Sequence, residues 1–275
     1  MSLRMQNDGF SQDRLRRGFT NAQGFPVNAF TVLWNVYHEA LTTTQYHTYF
    51  IIARHLFDAS DEYTVAFIPS QSVLEHQRFG VGSQGNDTYH GSLAPTTGRW
   101  YRMAFLFYPT TGSNYNQDFY FDLPDTGKVV TRTRTAGLSG FTATHEFAFG
   151  APPYQVNEGV EGLFSNGMIF KGRLSPTLCY RQLCSRRPLP ELRSHLWAWY
   201  KLRHHNDVQD WSGHGRHLTK IEDNFTMSTR ADPALLPDLY DHLEADEVMV
   251  SAGAPPDPPI TDGPKLHLVS SGLRF

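Results

Sequence analysis

Four histidines lie within fourteen residues towards the C-terminal side of this chain, in His204-His205-Asn206-Asp207 and Ser212-Gly213-His214-Gly215-Arg216-His217. Imidazoles at such density can hold zinc or copper. The spacing favours a plainer role. His204 and His205 point to opposite sides of an extended chain. His214 and His217 sit among glycines, so the second group reads as a turn. Asp210 and Ser212 suit an Asx-type turn, with Gly213 and Gly215 supplying positive φ. Paired carboxylates across a groove would give glycoside hydrolysis, one as acid and one as nucleophile. Glu158 and Glu161 come nearest. Their i,i+3 spacing puts them on opposite faces of a strand, and Gly159 between them suggests a loop, so they read as solvated loop acids. Oxygen donors of the kind calcium takes occur in Gly85-Asn86-Asp87-Thr88 and Asn116-Gln117-Asp118. Both stretches read first as ordinary turn chemistry.

Nucleophilic catalysis has little to build on. Gly137-Leu138-Ser139-Gly140 is one residue short of a nucleophile elbow. Cys184 precedes Ser185-Arg186-Arg187, and local cations can lower a thiol's pKa, but no partner His is identifiable. Neither a Walker loop nor a dinucleotide fingerprint occurs. Rings that could stack on a sugar are plentiful: Tyr89, Tyr108, Tyr115, Tyr154 and Trp211. Trp34, Trp100 and Trp197 fall inside strand patterns and read as packing. The sequence therefore assigns no catalytic, cofactor-binding or metal-ligating residue, and Ca2+ is the one ion kept in view.

The elements that would carry these groups are strands. Runs rich in aromatic and β-branched residues occur at Ala29–Tyr37, His47–Ala53, Glu62–Ile68, Trp100–Tyr108, Asp118–Asp122, Lys128–Thr133, His145–Phe149 and Gly162–Phe170, with a weaker run at Arg78–Gly82. Pro69 and Pro109 stop two of them, and PDTGK joins a hairpin. Leu196–Leu202 reads as a final strand. One short helix is expected over Ser175–Cys184, with Ser at the N-cap and Pro at N1. Its apolar stripe of Leu178, Cys179 and Leu183 makes Cys179 a small core residue. The i,i+5 spacing of Cys179 and Cys184 suits disulfide geometry poorly. Reduced thiols, in a protein made in a cytoplasm, are the expectation.

The 275 residues carry 24 bases, 27 acids and a net charge of −3, which argues against a nucleic-acid binder. No apolar run approaches the ~18 residues that span a bilayer, so no membrane insertion is expected. The opening MSLRMQNDGF has no apolar h-region, and no secretory signal is expected either. Charge is uneven. Residues 221–275 hold ten acids against three bases, a net of −7, while residues 1–220 hold 21 bases against 17 acids, a net of +4. The same C-terminal stretch holds seven of the 17 prolines, including APPDPPITDGP at 254–264. It reads as an extended arm, and PKLHLVSSGLRF at its end has apolar anchors that suit a neighbouring subunit.

The order of motifs resembles the laminin G-like, concanavalin A-like lectin and glucanase jelly rolls over about residues 25–185. The carriers are F-T-V-x-W (Phe30 to Trp34), W-Y-R-M-A-F (Trp100 to Phe105), the hairpin FYFDLPDTGKVV, the Phe149-Gly150 ending, and Gly162 to Ser175 entering a short helix. Asp210 to Thr219 matches D-x-S-G-x-G-x-H-L-T, which recurs in these jelly rolls. The layout with an acidic, proline-rich tail is similar to laminin G-like proteins in tailed-phage genomes. The resemblance implies an all-β, two-sheet antiparallel sandwich over residues 1–222 with an extended arm over 223–275. The glucanases of this fold carry E-x-D-x-x-E on one strand, and no such run occurs here. The implied role is non-enzymatic: a virion structural protein of a tailed phage (decoration, collar or tail), assembled in the host cytoplasm. Its expected partners are other virion proteins and copies of itself. The alternative is a carbohydrate-binding module for surface glycans, and a glycoside hydrolase comes third.

Overall fold

The computed structural model describes residues 2–5, 14–18, 24–26, 28–41, 47–54, 62–68, 73–79, 85–89, 95–111, 115–123, 128–134, 145–150, 160–185, 187–203, 207–221 and 226–228. They form two antiparallel sheets packed as a sandwich. In chain order the strands are β1 (Ser2–Met5), β2 (Arg14–Gly18), β3 (Phe30–His38), β4 (His47–Arg54), β5 (Glu62–Ile68), β6 (Val73–Phe79), β7 (Gly85–Tyr89), β8 (Trp100–Pro109), β9 (Tyr115–Tyr120), β10 (Lys128–Arg134), β11 (His145–Gly150), β12 (Gly162–Lys171), β13 (Leu196–Tyr200), β14 (Thr219–Ile221) and β15 (Thr226–Ser228). Helix α1 spans Pro176–Cys184, and a 3-10 helix covers Pro190–His195. The first sheet runs β10-β9-β8-β3-β12-β1-β15, with β13 also on β12. The second runs β14-β2-β11-β4-β5-β6-β7.

Period-two alternation places Phe30, Val32, Trp34 and Val36 of β3 on the face that meets the second sheet. Rings from the two sheets touch there: Trp34 with Phe50 at 6.4 Å between centroids, Phe164 with Phe149 at 6.5 Å, and Trp197 with Phe147 at 5.7 Å. Edge-on and offset pairs of this kind add to the area that each ring buries. The opposite face of the first sheet is covered as well. Leu33, Ala104, Leu106, Met168 and Phe170 pack under Leu178, Cys179 and Leu183 of α1 and Leu192 of the 3-10 helix. Burial on both faces explains why β3 and β12 are apolar or small almost throughout and alternate only in part.

Helix α1 starts as its sequence dictates. Ser175 Oγ accepts the Leu178 N–H at 3.2 Å, and Pro occupies the first turn. Buried Gln182 then pins the exit, donating to the Arg187 carbonyl and accepting the Leu189 N–H. Cys179 and Cys184 are both free and buried, as small core residues should be. Burial pushes the Cys179 thiol well above its ordinary value.

Several expectations are corrected. Gly85-Asn86-Asp87-Thr88 is no loop; it lies in β7, paired with β6. Asn116, Gln117 and Asp118 belong to β9, where the last two are buried, so they form no oxygen-rich loop for Ca2+. The weak strand expected at Arg78–Gly82 is β6, which begins at Val73 and ends at Phe79. The strand expected over Asp118–Asp122 ends at Tyr120, and Asp122 has left-handed backbone at φ 53°. Strands β1, β2, β7, β14 and β15 and the 3-10 helix were not foreseen. Thr226–Ser228, within the stretch read as an arm, pairs with β1, while β14 pairs with β2. Residues 222–225 and 229–275, including the acidic proline-rich run, lie outside the described residues, as do Gly137–Gly140 and Glu158.

Where β12 meets β3, Gly162 lies opposite His38. A Cβ there would overlap the Tyr37 carbonyl oxygen and come within 3.1 Å of its carbon. Both obstacles are backbone in a paired strand and cannot swing aside. Gly162→Ala is therefore expected to cost roughly 1–3 kcal/mol, read as a lower midpoint in urea unfolding. An unchanged midpoint would mean that the β3–β12 pairing tolerates a shift at this end.

Candidate functional site

Strand β13 pairs with β12 along one edge. Its other edge would leave backbone groups without partners, and the chain from Asp207 to Leu218 folds back to supply them. Trp199 donates its N–H to Asp210 Oδ1 at 3.1 Å and accepts the Trp211 N–H at 2.7 Å. The Trp197 carbonyl accepts Arg216 Nη1 at 2.6 Å. The turn thus stands in for a neighbouring strand.

Asp210 is the hub. Oδ1 also accepts the Ser212 N–H at 2.9 Å, and Oδ2 accepts the Arg216 N–H at 2.9 Å. Burial alone would raise this carboxyl, but hydrogen bonds from Ser212, Arg216 and Trp199 outweigh it and hold Asp210 below its ordinary value. The Asx-type turn and the positive φ of Gly213 (85°) and Gly215 (68°) are as the sequence predicts. Arg216 lies over the Trp197 ring at 4.6 Å, and its carbonyl accepts the Tyr200 hydroxyl at 2.8 Å.

One large apolar side chain of the turn faces outward. Trp211 is 44% exposed, the exposed large apolar residue among those described. Its ring is held in place rather than loose. Indole Nε1 donates to Asp207 Oδ1 at 2.8 Å, and Asp207 Oδ2 accepts the Arg203 N–H at 3.0 Å. The Lys201 ammonium sits 3.6 Å from the Trp211 ring centroid and 4.6 Å from that of Trp199. Trp199 in turn donates Nε1 to Asn166 at 3.0 Å, inside the β12 bulge. Further along the turn, Ser212 Oγ and His214 Nδ1 lie 3.0 Å apart, and both residues reach the surface.

The histidines do not converge. His217 Nδ1 accepts the Asp210 N–H at 3.0 Å, so its role is in the turn. His204 and His205 lie outside the described residues. Among the described residues no group of three His, Cys, Asp or Glu could hold a metal ion. Trp34 and Trp197 are buried in the core as expected, and Trp100 is half-buried against Tyr37 at 5.6 Å. Tyr108 is half-buried under the Arg173 guanidinium, with its hydroxyl on Asp118. Side chains of Tyr89, Tyr115 and Tyr154 lie outside the described residues. Sequence reading missed Lys201 and Asp207. The signal available was the cation two residues after Trp199 and the acid four before Trp211.

No helix among the described residues is long and apolar enough to cross a membrane. No protein-family model matches the chain, and no curated protein does. Solved structures match it in fold. Full-length tailspike protein 2 of the Escherichia coli O157:H7 bacteriophage CAB120 is similar with a TM-score of 0.54 and 13% identity, covering 73% of this chain and 26% of that one. The enzymatically active domain of bacteriophage CBA120 tailspike protein 2 gives 0.53 and 15%, covering 73% and 29%. A protein from Bacteroides ovatus ATCC 8483, named for carbohydrate binding, gives 0.55 and 15%, covering 82% and 60%. The chain thus spans about a quarter of the full-length tailspike and three fifths of the Bacteroides protein. These likenesses are of fold, and the fold is the two-sheet antiparallel jelly-roll sandwich that the sequence resemblance implies.

Proposed function

We propose that this lectin-like jelly roll is a non-enzymatic glycan-binding module of a tailed-phage particle. The observation that carries the reading is Trp211, a pinned indole presented to solvent. A pyranose ring stacks on such a face, burying its C–H groups while its hydroxyls reach for nearby donors. Ser212 and His214, which follow it in the same turn and reach the surface, carry the polar groups for such contacts. The ring's orientation is prepared by Asp207, so little ordering is left to binding. The tailspike and carbohydrate-binding likenesses support the same reading at the level of fold.

On this reading the particle partners are other virion proteins and copies of the chain itself. The C-terminal stretch from 223 makes those contacts, since residues 221–275 carry a net −7 and residues 1–220 a net +4. The protein is assembled in the host cytoplasm and resides in the virion. Immunolabelled native particles seen by electron microscopy locate it, and particles that never carry the label would remove the virion role.

The protein is expected to bind glycans on a printed array, and Trp211→Ala to weaken that binding at least about tenfold while the fold is retained. Binding that is unaffected by Trp211→Ala would overturn the site. Polysaccharide cleavage lost on a single Glu or Asp substitution would replace a binding role with a hydrolytic one.

A further inference from the structure

We infer that the first sheet binds ordered water on its outer face, held between Asn35 of β3 and Ser165 of β12. Asn35 lies two residues beyond Leu33 and shares its side of the sheet, opposite to Trp34 and Val36. Ser165 is its partner across the β3–β12 pairing, and Phe164 before it faces the other way, into the core. Side chains opposed in this manner have Cβ atoms about 4.5–5.5 Å apart. Leu33 and Met168 flank the pair on one side, Tyr37 and Leu163 on the other, and all of these residues are buried. Asn35 and Ser165 themselves have no exposed surface. Yet neither amide atom of Asn35 has a hydrogen-bond partner among the described residues, and neither has Ser165 Oγ. Exchanging the amide's oxygen and nitrogen changes nothing, since both lack one. Buried polar atoms are costly to leave dry, so the pair calls for a ligand.

The chemistry of the atoms selects it. The ligand must be small, because the pair is closed to solvent. It must accept from Asn35 Nδ2 and donate to Asn35 Oδ1, and Ser165 Oγ serves either way. A cation does not accept from the amide N–H group, and an anion does not donate to its oxygen. Water does both, and buried waters take about two to four such partners. Trp100 Nε1 is a further buried atom without a partner among the described residues. Trp100 pairs with Tyr37, on the same face and diagonal to Asn35, within reach of a second water. The location gives the water a structural task. At Ser165 the β3–β12 register breaks, and it resumes at Met168. Asn166, with left-handed backbone at φ 54°, closes this bulge. Its N–H donates to the Lys201 carbonyl and its Nδ2 to the Ser185 carbonyl, while Oδ1 accepts the Trp199 indole. A bulge interrupts the ladder, and water between Asn35 and Ser165 restores hydrogen bonding from β3 to β12 at the interruption.

High-resolution crystals of the protein are expected to show water density at hydrogen-bond distance from both Asn35 and Ser165. In solution, water relaxation dispersion should report at least one fewer long-lived water in Asn35→Leu than in the parent. Urea unfolding supplies the sign, because leucine matches the amide in shape. With water bound, Asn35→Leu discards hydrogen bonds already made and lowers the midpoint; with a dry amide it removes a desolvation cost and raises the midpoint. Ser165→Ala should lower the midpoint too, and by less once Asn35→Leu has displaced the bridging water. Crystals without density there, or with Asn35 and Ser165 bonded directly to each other, overturn the inference, as does a raised midpoint for Asn35→Leu. Should Asn35→Leu fail to fold, the density in the parent protein decides.

Discussion

Asp210→Ala is expected to destabilise the sandwich by about 3–5 kcal/mol, because three backbone N–H groups lose their acceptor at once and each buried orphan costs about 1–3 kcal/mol. Those donors belong to Trp199, Ser212 and Arg216, and Asp210 is 5% exposed, so water cannot simply replace the carboxylate. The loss extends beyond the turn. With the turn released, the free edge of β13 is uncovered, and Trp211 loses the backbone bond to Trp199 that positions it. Asp210→Asn keeps one oxygen in the place of Oδ1, which serves Trp199 and Ser212, and should lose about half as much. Urea unfolding of the three proteins measures this directly. An alanine variant within about 1 kcal/mol of the parent would mean that the turn finds other acceptors. The sign with pH follows from the lowered carboxyl. The folded state holds the charged form more tightly than the unfolded chain does. The contribution is complete above the ordinary value of 3.8 and is lost as pH falls below it.

A second large effect is expected from acid, at a higher pH and from a different place. His38 closes β3 on the inner face of the sandwich and is wholly buried. Its Nε2 lies 3.0 Å from the Tyr49 hydroxyl, and its Nδ1 has no hydrogen-bond partner among the described residues. The rings that face it are Tyr49 and His47 from β4 and Tyr101 from β8, at 5.6, 5.8 and 6.0 Å. None is an anion. Burial first, and the nearby His47 second, lower His38 from 6.5 to about 3. The unfolded chain therefore takes up a proton from pH 6.5 downward that the folded chain refuses until about pH 3. Stability falls across that window as pH falls, at about 1.4 kcal/mol per pH unit for this one group. By about pH 4 the loss is about 3 kcal/mol. His38→Gln, which can still reach the Tyr49 hydroxyl, should be less stable at neutral pH but lose less on acidification. The measurement is the difference in slope between the two proteins in urea midpoint against pH, expected to correspond to about one proton. Parallel slopes would show that His38 gains its proton in the folded state after all.

Much of this architecture is legible in the chain because it rests on local rules. Glu62–Ile68 alternates and stops before Pro69, and β5 has those bounds. Ser175-Pro176 begins a helix because its side chain and its missing N–H both suit a first turn. Asp210, Ser212, Gly213 and Gly215 carry their own turn with them. Other elements have no such local signature. The strands SLRM and RLRRG are short and charged, and they exist because β12, β15, β11 and β14 lie beside them. GNDTY has turn composition, yet pairing with β6 makes it a strand. A residue's propensity there is outweighed by the backbone hydrogen bonds that a neighbouring strand offers.

The candidate site divides along the same line. Composition and spacing alone placed a polar turn after a Trp-rich strand, excluded paired carboxylates on one strand face, and kept the two cysteines apart. Those conclusions depend on residues a few positions from one another, whose geometry the chain itself constrains. Which tryptophan faces water could not be read that way. Trp34, Trp197 and Trp211 are the same residue type, and only packing against the second sheet and the cover of α1 decides which are interior. The same holds for the ammonium between Trp199 and Trp211, which meet because the turn folds back onto β13, and for neutral His38, whose charge is set by what surrounds it. Burial, edge pairing and local field are properties of groups brought together across the fold, so they arise only once the two sheets have closed on each other.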